Sequence, residues 1–111
     1  MEVTPDRGEI WWVALDPTLG SEIRKTRPCV VVSLKLLNER RRTIVVIPLS
    51  SAPTASPPIL IPVLCEGRPS VAVTDQIRAV SKGRFRDRIG LAASTEMAAI
   101  EDGLRTILQL G

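Results

Sequence analysis

Four ionisable side chains crowd into six residues of the stretch GSEIRKTRPCVVVS, residues 20–33: Glu22, Arg24, Lys25 and Arg27. A run of β-branched residues follows at once and reads as a buried strand, so a rigid element carries Arg27 while a loop carries the others. Guanidinium groups in such a place suit phosphate oxygens, which they grip through parallel N–H donors. The chain contains no histidine, and that removes Ser-His-Asp and Cys-His sets. It also has no glycine-rich phosphate loop and no zinc-ligand spacing. Arginine, carboxylate and hydroxyl still suffice for one reaction, cleavage of RNA by its own 2′-hydroxyl. There the substrate supplies nucleophile and phosphate, and the protein positions the strand, assists proton transfer and stabilises the crowded phosphorane.

Other cations are spaced regularly. In SKGRFRDRIG, residues 81–90, Lys82, Arg84, Arg86 and Arg88 occupy every second position. An extended segment would turn all four to one face, either to follow a phosphate backbone or to shield an edge strand from aggregation. Arg40, Arg41 and Arg42 read as loop decoration. The stretch SSAPTASPP, residues 50–58, is rich in small residues and proline and reads as a mobile surface loop, with Ser50 and Ser51 at its start.

The elements that must hold these groups are mostly short strands, expected at 9–16, from Arg27 onward, and at 43–49, 58–64, 70–75 and 77–81. EIWWVALD is apolar on both alternating faces, so this first strand is covered on both sides. Trp11 or Trp12 then faces either the core or a partner chain. Leu36 to Arg42 reads as a polar connection with a turn of helix. From Ser94 the period changes: Ser94 is the expected N-cap, Glu96 suits the helix dipole, and Met97, Ile100, Leu104, Ile107 and Leu108 form one stripe. Gly103 within it costs about 1 kcal/mol relative to alanine. The fold class is therefore mainly β with some α, about six to seven short strands curled into a small barrel and closed by a C-terminal amphipathic helix. A parallel sheet would need helices between its strands.

Length and composition agree with that reading. The 111 residues make one domain, spanning 1–111, that buries roughly two-thirds of its chain surface. The formal charge is +3, and 12 of the 15 basic residues are arginine, the residue of forked phosphate contacts. Cys29 and Cys65 have apolar neighbours and no C-x-x-C spacing; they read as small core residues of a reduced, cytoplasmic protein. The N-terminus mixes charges of both signs and has no signal-peptide pattern, and no apolar run approaches the ~18 residues of a membrane span. Neither cofactor nor metal is expected.

The pattern RGEIWWVALDPTLGSEIRKTRPCVVVS, then IVVIPLSS, then VTDQIRAVSKGRF, resembles the MazF/PemK/Kid family of toxin endoribonucleases from bacterial toxin–antitoxin systems. The parts G-[DE]-I-W, D-P-x-x-G-S-E, R-P, a hydroxyl pair after the third strand and D-Q-[IV]-[RK] recur in order over nearly the whole chain. The resemblance implies an SH3-like barrel, a homodimer, metal-independent and sequence-specific cleavage of single-stranded RNA to 2′,3′-cyclic phosphate and 5′-hydroxyl ends, and an acidic antitoxin as partner. It makes Arg27 the catalytic arginine and Ser50 the counterpart of the usual catalytic threonine, with Ser51 beside it. Glu22 and Asp75 become assisting residues, and Arg24, Lys25, Gln76, Arg78, Lys82, Arg84 and Arg86 RNA contacts. Kid-type relatives carry a histidine and a second arginine where this chain has Ser21 and Val73. Two other functions share such a fold: a non-catalytic toxin that binds DNA gyrase, and a small RNA- or peptide-binding module.

Overall fold

A computed structural model describes residues 4–15, 25–51 and 54–111, with Lys25 through its backbone alone. Glu22, Arg24 and Ser21 lie outside the described residues. The elements are β1 (Glu9–Leu15), β2 (Lys25–Val31), α1 (Lys35–Arg40), β3 (Thr43–Ser50), β4 (Leu60–Cys65), β5 (Arg68–Val73), β6 (Arg78–Ser81), β7 (Phe85–Leu91) and α2 (Ser94–Leu108). Two 3-10 turns, Thr74–Gln76 and Lys82–Arg84, flank β6. Among the described residues seven antiparallel strands thus curl with one C-terminal helix, in the order β4-β5-β3-β2-β1-β7, and β6 sits on β3.

Alternation along β1, β2 and β3 divides the core in two. Ile10, Val30, Ile47 and Leu49 point to one cluster, which Ile61, Val63 and Ile100 of α2 complete. Trp11, Val13, Cys29, Val31, Ile44 and Val46 point the other way, against Val80 and Phe85. The central strands are therefore covered on both faces, which is why β1 lacks a polar face. Trp11 is 8 % exposed; its ring meets Phe85 edge-on at 5.9 Å, and its indole N–H donates to Glu9 at 2.9 Å.

Four local expectations change. The helix N-cap is Ala93, one residue before Ser94, because the Glu96 carboxylate does the capping: it accepts from the Ala93 N–H at 2.8 Å and from the Leu64 N–H of β4 at 2.8 Å. Gly103 is buried rather than merely tolerated, since a Cβ there would come within 2.7 Å of the Pro58 carbonyl. Leu108, the last residue of the stripe, is 51 % exposed. The basic stretch after β6 is not extended throughout: the turn at Lys82–Arg84 breaks the alternation, leaving only Arg86 and Arg88 on β7.

β4 forms one end of the sheet, and its outward N–H groups are occupied. Leu60 donates to the Ser56 carbonyl at 2.9 Å, Pro62 has no N–H, and Leu64 donates to Glu96. Asn38 of α1 is fully buried; its amide donates to Pro5 and Ser33 carbonyls at 2.9 and 3.1 Å and its oxygen accepts from the Ser33 hydroxyl, which pins α1 beside β3. No helix among the described residues is long and apolar enough to cross a membrane.

Candidate active site

The site begins at a fork in the sheet. The β2–β3 ladder runs Val31↔Val46, Val30↔Ile47, Cys29↔Pro48 and ends there. Pro48 has no N–H to extend it. Beyond that rung β2 stays on β1, through Trp12↔Pro28 and Val13↔Arg27, while β3 stays on β5, through Leu49↔Ala72 and Ser50↔Val71. Two further rungs would have set Arg27 opposite Ser50; the strands part instead, and both side chains line the opening.

The resulting cleft of about 540 Å³ has three walls. Trp12, Thr26, Arg27 and Pro28 come from β1 and β2, Leu49, Ser50 and Ser51 from the end of β3, and Cys65, Glu66, Arg68, Pro69 and Ser70 from the β4–β5 hairpin. A smaller adjoining cleft of about 190 Å³ is lined by Arg27, Pro48, Leu49, Ser50, Val73 and Gln76. Arg27 and Ser50 border both. Ser50 is half-buried and Ser51 exposed, so Ser50 is the better fixed of the two hydroxyls.

Of the residues singled out in the sequence, Arg27, Ser50, Ser51 and Gln76 come together here. Asp75 lies in the middle of the Thr74–Gln76 turn, exposed, and lines neither cleft. Arg78 is exposed on β6 opposite Val46. Lys82, Arg84 and Arg86 line neither cleft; Arg84 reaches the Ala14 carbonyl at 3.4 Å and Arg86 that of Gly83 at 2.8 Å. Arg88 pairs with Glu9 at 3.1 Å. The turn that breaks the 81–90 stretch is what prevents a single basic face.

Sequence reading passed over Trp12 as a cleft residue, and Glu66 and Arg68 altogether. One signal was present: Glu66-Gly67 between two apolar runs is a two-residue hairpin turn, which places Cys65 opposite Arg68. Burial acts on both thiols in the same direction. Burial pushes Cys29 up to about 12, although Arg78 and Arg27 are close enough to act against it. Cys65, in the cleft wall, is also raised, by burial and by Glu66. Both remain protonated thiols near neutral pH, so neither is poised as a nucleophile. Among the described residues no cluster of His, Cys, Asp and Glu has the makings of a metal site.

What the arrangement can do chemically is grip a phosphate from two sides. Arg27 offers a forked set of donors, Ser50 a hydroxyl and Gln76 an amide, with Trp12 and the prolines as apolar surface for a base. Comparison with known proteins bears on this geometry. Residues 6–108 match the family model described as PemK-like, MazF-like toxin of type II toxin–antitoxin system. Endoribonuclease MazF9 of Mycobacterium tuberculosis H37Rv is 34 % identical over 94 % of this chain and 96 % of its own. A MazE–MazF structure from Deinococcus radiodurans superposes with a TM-score of 0.85 at 21 % identity, over 99 % of this chain and 100 % of that one. An endoribonuclease in complex with its cognate antitoxin, from a mycobacterial species, superposes with a TM-score of 0.74 at 22 % identity, over 97 % and 96 %.

Proposed function

The chain belongs to the PemK-like, MazF-like toxins of type II toxin–antitoxin systems, and from that premise we propose that it is an endoribonuclease that cuts single-stranded RNA at the fork between β2 and β3. The observation that carries this is the shared position of Arg27 and Ser50 on both clefts. The 2′-hydroxyl of the RNA attacks the adjacent phosphorus, and the bond to the 5′-oxygen of the next nucleotide breaks. The products are a 2′,3′-cyclic phosphate and a 5′-hydroxyl, whose proton comes from water or from the group that took the 2′-hydroxyl proton. Charge builds on the non-bridging oxygens as the phosphorane forms, and donors already in place there are worth on the order of 100-fold in rate each.

Arg27 holds those oxygens from the β2 side and Ser50 from the β3 side. An arginine is always charged and accepts no proton, so the proton of the 2′-hydroxyl passes to a carboxylate or to water. Glu66 is the carboxylate that lines the cleft among the described residues; Glu22 and Asp75 complete the set of candidates. Trp12 is placed to stack a base, a contact that tolerates sequence. Arg24 and Lys25 join as general phosphate contacts, and Arg78, with Lys82, Arg84 and Arg86, lies farther along the strand's path. The same reading takes in a homodimer acting in the cytoplasm. Its partner is an acidic antitoxin segment that folds over the Arg27 cleft and masks it by charge complementarity.

Incubation of the unaltered protein and Arg27→Ala with a long single-stranded RNA in EDTA tests this. Cleavage at one short sequence, with cyclic phosphate ends and a loss on the order of 100-fold or more in the variant, is the expected result. No cleavage, or equal cleavage by both proteins, overturns it.

A further inference from the structure

The hairpin wall of the cleft is closed by a tight turn. β4 and β5 are joined by Glu66 and Gly67 alone, both at positive φ, 54° and 76°, the backbone of a two-residue turn whose twist matches the strands it joins. Below the turn Cys65 pairs with Arg68, and the Ser70 hydroxyl donates to the Val63 carbonyl at 2.6 Å. Arg68 therefore stands on a fixed arm, facing the wall that carries Arg27 and Ser50 across one cleft.

Among the described residues three cations serve the fold through ion pairs. Arg7 pairs with Glu101, Arg88 with Glu9 and Arg105 with Asp102. Arg68 is exposed, lines the cleft and makes no ion pair among the described residues. The cleft it borders, about 540 Å³, is in the range of roughly 300–1,000 Å³ that accommodates ligands of nucleotide size. A single phosphate between Arg27 and Ser50 would leave most of it empty.

We infer that Arg68 binds the RNA phosphate next to the scissile one, so that the cleft seats one whole nucleotide step between two arginines. The inference rests on the ribonuclease reading and assigns the hairpin a part in it. Arg27 and Ser50 take the reacting phosphate, and Arg68 takes its neighbour. Pro28, Leu49 and Pro69 lie under the sugar and base between them.

The test uses a short RNA carrying the mapped cut site, made uncleavable by a 2′-deoxy sugar there, with one phosphate at a time replaced by a neutral methylphosphonate. Arg68→Ala should weaken binding about tenfold and flatten the salt dependence by about one phosphate contact. It should raise KM on cleavable RNA with kcat little changed. Neutralising the neighbouring phosphate should weaken the unaltered protein by a similar factor and leave Arg68→Ala unaffected, while neutralising any other phosphate should change binding by both proteins to the same extent. Arg68→Lys should keep the salt slope, and thermal unfolding of each variant checks that the fold is intact. Unchanged binding by Arg68→Ala, or a loss indifferent to which phosphate is neutral, overturns the inference alone. Failure of the unaltered protein to cut any RNA overturns the ribonuclease reading and this inference with it.

Discussion

Replacing Gly103 by alanine sets two effects of known size against each other. In an exposed helix the change is stabilising by about 1 kcal/mol, because alanine loses less backbone freedom. Here the new Cβ would stand 2.7 Å from the Pro58 carbonyl, 3.4 Å from Thr74 Cγ2 and 3.5 Å from Ile61 Cδ1. The first contact is impossible as it stands, and backbone rather than a flexible side chain must move to relieve it. Overpacking of this kind costs about 1–3 kcal/mol. The carbonyl that must move also accepts the Thr74 hydroxyl at 2.8 Å, and disturbing that bond adds about 1 kcal/mol. The balance is a loss of about 1–3 kcal/mol, or a fall in Tm of about 4–8 °C for each kcal/mol in a chain of this size. Guanidinium unfolding followed by circular dichroism measures it directly. A Gly103→Ala protein as stable as the parent, or more so, would show that the helix does not depend on this close approach.

Other outcomes follow from the same geometry. Ser50→Ala should lower kcat on the order of 100-fold with stability retained, and Ser51→Ala should do much less; the reverse order would move the catalytic hydroxyl to Ser51. Burial raises the Glu9 carboxyl, but the Asp6 N–H, the Trp11 indole and Arg88 outweigh it and hold the group below its ordinary 4.5. A depressed carboxyl stabilises the fold above its unfolded value and loses that contribution as pH falls through the folded one. Glu9→Gln should therefore be less stable than the parent at pH 7, with the gap closing as the pH drops below about 4.5; a gap unchanged down to pH 3 would refute the assignment.

Much of the fold could be read from the chain because the informative patterns are local. Short apolar runs between turn residues located the strands, and the change of period at Ser94 located the helix. The misreadings arose where residue types allow more than one local arrangement. Ser94 resembles an N-cap, but Glu96 bonds the Ala93 N–H and also reaches β4. The residues after β6 alternate as a strand would, yet a 3-10 turn interrupts them. For the site, Arg27, expected to start its strand but third in β2, and the hydroxyls at the end of β3 were legible as types, and the family resemblance named them. Their convergence was not, because it depends on β3 leaving β2 for β5 beyond Pro48, a long-range pairing. Arg68 and Trp12 join the cleft through that same exchange of partners.

The occupied edge of β4 bears on how this chain meets others. An edge strand usually offers a row of free N–H groups on which a foreign strand can assemble. From Leu60 to Leu64 this row is used up, by the Ser56 carbonyl, by proline and by the Glu96 carboxylate. Growth of the sheet by a strand added here is thereby blocked, both for a partner's extended peptide and for chain after chain in an aggregate. The carboxylate that starts the last helix also seals that end of the sheet.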